Sequence, residues 1–413
     1  MQKQVAINQL LPGMRVVQLD IGWQKIPQWQ QPFVVESAED IVRLHQHCKN
    51  VVIEVADTSP ATEQMPSDLA NSAEQKPLTV VKDDSMGELK EQVSVSFVIE
   101  CYKRTLATLI QSFDQIRDGA PFDGKGLTEC ASNLLLSAYA HPEVLTLMCN
   151  LKEKDTSLEQ KSLDVAVLSL LFGKALSLKK NQLEQLVLAS LLHDIGMLRV
   201  PQELVTHQEK LTANQRKIIQ KHVESGCYML SAKAEFKALN SIIAYHHERH
   251  DGRGYPSGIK GENTPLPAKV LQIATLFEAL TRDRQYSDQH STTNALSKLY
   301  GWRNKALDGQ LVERFIGTIG VYPVGTLVYL NNGYTGIVMV VHSSHRSRPT
   351  VQLLFDREGT WVNQDTEINL TEQKHKKLQI TKSLDPEEFP DKVMDKIMQR
   401  LNSIPPQEQS ASQ

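Results

Sequence analysis

The sequence predicts a mainly α-helical protein: a helical bundle preceded by a small α/β domain and followed by a small β extension. Three observations carry this reading. From Leu127 to about Gly320, apolar residues recur at i, i+3 and i+4. After Val321 the repeat shortens to two. Between Asp57 and Gly87 the chain turns to Ser, Pro, Asp, Glu, Gln and Thr with little periodic apolar content, which sets 1–56 apart as a domain.

In chain order, Leu11-Pro12-Gly13-Met14 is a turn leading into a strand at Arg15–Leu19, and Val51–Val55 is a second strand. Ser37 caps a helix to Cys48 with Ile41 and Leu44 on one face. Trp23, Pro27, Trp29, Pro32 and Phe33 either line a groove or pack the small domain. A linker over 57–87 leads to a connector at 88–126, whose helix over 88–117 carries Val93, Phe97, Tyr102, Leu106, Leu109 and Phe113. Its stripe is too irregular for a heptad seam, so packing against the bundle is favoured over dimer formation. The bundle, 127–320, should contain helices at Leu134–Tyr139, Val144–Leu151, Leu163–Leu176, Leu183–His193, Ala213–Leu230, Phe236–His247, Leu266–Leu280 and Gln310–Ile319. In the extension, 321–382, Leu327–Leu330 and Gly336–Val341 form a hairpin about Asn331-Asn332-Gly333, and Val351–Phe355 adds a strand. A helix and polar tail complete 383–413.

Charge and cysteines narrow the function classes. Lys plus Arg is 45 against 48 for Asp plus Glu, so there is no basic field of the kind that binds nucleic-acid polymers. The five cysteines are scattered and never in C-x-x-C, which argues against disulfides and zinc ribbons and for a reducing cytoplasm. No run approaches the roughly 18 apolar residues of a membrane helix.

The chemistry concentrates in Leu191-Leu192-His193-Asp194-Ile195-Gly196, in His222, and in His246-His247-Glu248-Arg249-His250-Asp251-Gly252-Arg253-Gly254-Tyr255-Pro256. Imidazole and carboxylate are the ligands of divalent transition metals. One such histidine is more often a surface or satisfied core residue. Several arriving as neighbouring pairs, on segments with helical patterns, suit a metal site built between helices.

Together, His193-Asp194-Ile195-Gly196, His222, His246-His247-Glu248, Asp251-Gly252 and Gly254-Tyr255-Pro256 resemble the HD-GYP domain, a bacterial branch of the HD metal-dependent phosphohydrolases. The resemblance runs over about 150–325 and extends to Glu278-Ala279-Leu280 and Arg284-Gln285-Tyr286. Residues 1–56 and the β extension are similar to segments that flank such domains. The resemblance implies hydrolysis of cyclic di-GMP or a related cyclic dinucleotide in bacterial second-messenger signalling. It implies two ions about 3.5–4 Å apart that generate hydroxide and neutralise phosphate charge. Asp194 would bridge them as the central catalytic carboxylate. One ion would be completed by His222, His246 and His247; the other would use His193, an earlier His and a later Asp.

That second set is broken. Lys161 stands at the earlier His position, Thr275 at the later Asp position, and Met197 where a phosphate-contacting Lys is usual. One tight ion, iron or manganese, is therefore expected, with the second doubtful. Three readings follow: an altered phosphodiesterase, a cyclic-dinucleotide-binding or protein-interaction module that does not cleave, or neutral drift in a working site. Loss of two ligands disfavours the last. Arg284, Arg253 and Tyr255 are the candidate substrate contacts, with Arg249 beside them. His250 reads as solvated, and Gly254-Tyr255-Pro256 as a rigid lip or a docking surface for a protein partner.

Overall fold

The computed structural model describes residues 2–6, 15–19, 32–34, 50–54, 93–150, 157–206, 211–282, 292–342, 345–362 and 366–384. The chain divides into two compact units, Met1–Gln64 and Met65–Gln413.

The first unit contains four strands, β1 (Gln2–Ala6), β2 (Arg15–Leu19), β3 (Phe33–Val34) and β4 (Asn50–Glu54), in the antiparallel order β1-β4-β2-β3. β4 is central, pairing Gln2 with Glu54 on one side and Arg15 with Glu54 on the other. Buried Val16, Leu19 and Val51 give the sheet its apolar face. β1 and β3 escape the sequence pattern: the first has only Val5 and Ala6 as apolar residues, the second only two residues. The helix expected at Ser37–Cys48, Trp23, Trp29 and the linker over 57–87 lie outside the described residues.

The second unit opens with a helical bundle. Its helices are α1 (Val95–Arg117), α2 (Gly124–Ala140), α3 (Pro142–Asn150), α4 (Leu158–Ala175), α5 (Lys180–Leu192), α6 (Gln202–Val205), α7 (Ala213–Gln220), α8 (His222–Ser231), α9 (Asn240–Ile243), α10 (Leu266–Arg282), α11 (Thr292–Gly301) and α12 (Gly309–Ile319). α1 packs into the common core through Val98, Leu109 and Phe113, beside Leu127 and Leu134 of α2. α4 is buried nearly all round and α5 is so from Leu186 onward, with Leu163, Val167 and Leu170 on one and Leu186, Val187 and Leu191 on the other. No helix among the described residues is long and apolar enough to cross a membrane.

Two expected helices are interrupted. Ala213–Leu230 breaks at Lys221, whose amide donates to Ile218 O three residues back, starting α8 afresh at His222. Phe236–His247 is a tight helix at Ala234–Leu239, one α-turn at α9, then successive turns. There Tyr245 N donates to Ile242 O and His246 N to Ile243 O. Apolar spacing is the same for either kind of turn, so periodicity alone cannot tell them apart.

The extension is a five-stranded antiparallel sheet of β5 (Leu327–Leu330), β6 (Thr335–Val340), β7 (Thr350–Phe355), β8 (Glu367–Asn369) and β9 (Ile380–Leu384), in the order β8-β7-β6-β5-β9. β9 replaces the start of the helix expected from 383; the remainder of that segment lies outside the described residues. Leu147 of α3 shares an apolar cluster with Leu327, Ile337 and Leu354 of the sheet. Asn150 Nδ2 donates to Val324 O at 2.7 Å, beside Gly325, whose φ of +88° is in the left-handed region.

Candidate metal centre

α5 carries an apolar run into the core and ends at Leu192, so His193 and Asp194 emerge at its C-terminal end, 0% and 3% exposed. Asp194 leaves helical geometry at φ −102°, and the chain tightens into a short helix over Ile195–Arg199. Gly196 then lies directly against the carbonyl of His222 and the amide of Gly226. That backbone-to-backbone approach seats the start of α8 beside the His-Asp pair and puts His222 in the pocket.

Three histidines are aimed in the same way. Nδ1 of His193 contacts Ser190 O at 2.7 Å, that of His222 contacts Ile219 O at 2.7 Å, and that of His246 contacts Ile243 O at 2.6 Å. A carbonyl only accepts, so each Nδ1 donates its proton outward and each Nε2 is the atom turned into the pocket. The three Nε2 atoms are buried without a hydrogen-bond partner. Fixing the outer ring nitrogen on a backbone carbonyl is how proteins orient histidine ligands. Ligand atoms of Asp194, His222, His246 and His247 all lie within 4.8 Å of one another. This donor set, with its orphaned inward nitrogens, fits a divalent transition metal ion.

The electrostatics agree. Burial pushes His246 down to about 4, and burial with neighbouring His246 holds His247 well below its ordinary value, so both are neutral, ligand-competent imidazoles at physiological pH. Burial alone would raise Asp194; His193 and Lys161 outweigh it and hold the carboxyl well below the usual range. Asp194 Oδ1 faces His222 Nε2 at 3.2 Å and His246 Nε2 at 3.7 Å. Its Oδ2 receives a 2.6 Å hydrogen bond from Lys161 Nζ and lies 3.3 Å from His193 Nε2.

The other residues singled out in the sequence lie at varying distances from this cluster. Lys161 is in the first turn of α4, which Ser157 caps. Thr275, on α10, is buried and its hydroxyl makes no hydrogen bond within the described residues. Met197 is half-buried in the turn after Asp194. Tyr255 stacks on His247, with ring centroids 4.6 Å apart and an interplanar angle of 21°. Arg253 is exposed. Arg249 is held in a bidentate pair with Asp251, at 3.0 and 2.7 Å. Arg284 lies outside the described residues. His250 is half-buried rather than solvated; its amide is tied to Ala306 O at 2.9 Å and its ring abuts Gly261.

Glu248 is a residue to which the sequence assigned no role of its own. It is 1% exposed, and its Oε1 accepts the amides of Ser257 at 2.6 Å and Gly258 at 2.9 Å. Its carbonyl accepts from Gln272 of α10. It ties the segment after the histidine pair to the loop that carries Tyr255. Gly254 has no room for a side chain, because a Cβ there would meet Arg249 N, Glu248 Cα and His247 O.

Comparison with known proteins gives three family matches in series. Residues 144–311 match the HD domain, 2–126 a domain of unknown function designated DUF3391, and 327–392 a KOW domain associated with HD domain. A cyclic di-GMP phosphodiesterase of Pseudomonas aeruginosa is 28% identical over 358 residues, which is 86% of this chain and 86% of that protein. A cyclic di-GMP phosphodiesterase response regulator of Xanthomonas campestris is 32% identical over 148 residues, covering 35% of this chain and 39% of that protein. A solved HDG"Y"P protein from Bdellovibrio bacteriovorus aligns at a TM-score of 0.46 and 14% identity, over 76% of this chain and 98% of that one.

Proposed function

We propose that this chain, which belongs to the HD-GYP family of HD-domain proteins, is a metal-dependent phosphodiesterase acting on cyclic di-GMP. The observation that carries the reading is the buried cluster of Asp194, His222, His246 and His247, with Nδ1 of His222 and His246 locked on a backbone carbonyl and their Nε2 atoms unpartnered. It is supported by relatives named as cyclic di-GMP phosphodiesterases, one of them matched across most of both chains.

In this reading Asp194, His222, His246 and His247 hold one ion, iron or manganese ahead of zinc given a nitrogen and oxygen donor set. Such an ion, when bound, supplies water activation at neutral pH and charge neutralisation of the phosphodiester. The protein's own part is orientation. The carbonyls of Ile219 and Ile243 fix two of the rings, Tyr255 covers the face of His247, and Glu248 with Gly254 holds the lip that carries Tyr255. Arg253, Tyr255 and Arg284 are the candidate nucleotide contacts in this reading. Hydrolysis is slowed relative to a site with two full ligand sets, since Lys161 and Thr275 supply no second set. A second reading, binding without cleavage, is favoured by one observation, the Lys161 ammonium on Asp194.

Protein purified without chelator should retain about one equivalent of metal per chain. Supplied with Mn²⁺, it should convert cyclic di-GMP to a linear product, followed by chromatography, and the His246→Ala variant should lose both metal and turnover. Cyclic di-GMP bound in calorimetry but recovered whole after hours would establish the receptor reading instead. Neither binding nor turnover would leave a protein-interaction role at the Gly254-Tyr255-Pro256 lip.

A further inference from the structure

The two oxygens of Asp194 face different partners. Oδ1 turns toward His222 and His246, at 3.2 and 3.7 Å, while Oδ2 meets Lys161 Nζ at 2.6 Å. The group of atoms suited to an ion is drawn from Asp194, His222, His246 and His247. The Lys161 side chain is 27% exposed against 4% for that of Asp194, so it approaches the carboxylate from the more open side of the pocket. A fixed positive charge at Oδ2 repels a dication approaching the same oxygen. It also leaves a cation beside the ion's pocket, on a side chain that is partly exposed. A lysine ammonium is a compact point charge, well matched to one phosphate oxygen.

We propose that Lys161 is a built-in second cation, standing on the Oδ2 side of Asp194 in place of an ion and contacting a phosphate oxygen of the bound cyclic dinucleotide. This rests on the phosphodiesterase reading above and extends it to a residue of opposite charge type from any metal ligand. The opposing idea is a plug, in which Lys161 only neutralises Asp194 and keeps substrate out.

The test uses the full chain and its Lys161→Met and Lys161→Arg variants. Metal per chain is measured after purification without chelator. Cyclic di-GMP binding to the chelator-treated protein is measured by calorimetry, and melting checks that each variant folds. Methionine keeps an apolar stem of similar length and removes the ammonium, its charge and its donors together. The expected result is about one metal equivalent in all three proteins, with metal-free affinity for cyclic di-GMP about 10- to 100-fold weaker in Lys161→Met. Lys161→Arg should stay within roughly threefold of the parent, since the charge is retained. Unchanged affinity in folded Lys161→Met would overturn the phosphate contact, and stronger binding would favour the plug. Two equivalents of metal in the unmodified protein would overturn the replacement of an ion. Failure of the unmodified protein to bind cyclic di-GMP, with or without Mn²⁺, would sink the functional reading itself, and is thereby distinguished from failure at Lys161.

Discussion

Gly196→Ala should strip the protein of its metal and destabilise it by on the order of 3 kcal/mol, as expected when a packed core is overfilled. The added Cβ would meet the carbonyl of His222 and the amide of Gly226, and neither is a flexible side-chain end that can swing aside. Relief requires α8 to back away from the short helix after Asp194, and His222, the first residue of α8, moves with it. A metal ligand displaced by an ångström no longer closes the cluster. The melting midpoint should fall by roughly 4 °C for a unit of this size, and metal analysis should show under half an equivalent. Gly226→Ala is the internal control. Its Cβ would sit 3.3 Å from Gly196 N and from Ile195 Cγ2, tight but short of collision, so a smaller loss is expected. Equal melting and metal content in Gly196→Ala and the parent protein would show that this backbone approach does not hold the pocket.

The second large effect is a gain. Lys161→His combined with Thr275→Asp should raise retained metal from about one equivalent to about two, and hydrolysis of cyclic di-GMP by about 100-fold, the scale of restoring one preorganised stabiliser of transition-state charge. Either change alone should leave the metal count at one. Lys161→His supplies a ligand without the late carboxylate, and Thr275→Asp supplies a carboxylate that the remaining ammonium would claim. The pair should therefore be strongly non-additive, as groups acting as a unit are. The parent protein hydrolysing as fast as the double variant would show that these two positions do not limit the reaction.

The residues that come together in the pocket were legible in the sequence because their chemistry is carried by residue type and close spacing. His193-Asp194 and His246-His247 are neighbours in the chain, and His222 lies within the amphipathic run Ala213–Leu230. The long helices were legible for a similar reason, as burial of one stripe leaves a repeat of about 3.6 residues. What stayed hidden was set by tertiary partners. The break at Lys221 and the tight turns before His246 do not alter apolar spacing, yet they aim both rings. Glu248 reads as any acidic residue until its carboxylate is seen to collect two amides from the loop. Arg249 suggested a phosphate contact from its charge, and only the fold shows that charge turned on Asp251. The edge strands β8 and β9 carry little alternation, and Thr292–Gly301 buries only Ala295, Leu296 and Leu299, a stripe too short to stand out.

The place of α3 between bundle and sheet has a consequence for how the second unit opens. Val144 and Leu145 are committed to the helical core, while Leu147 belongs to the core of the sheet and Asn150 is bonded to the strand approach. A nine-residue helix divided in this way is a shared wall, not a spacer. Regions that share buried contacts exchange their amide protons through common cooperative openings. Deuterium uptake at Leu147–Asn150 should therefore follow that of β5 and β6 under native conditions, and Leu147→Ala should speed both together. Independent exchange of the sheet and α3 would mean that the β extension opens by itself.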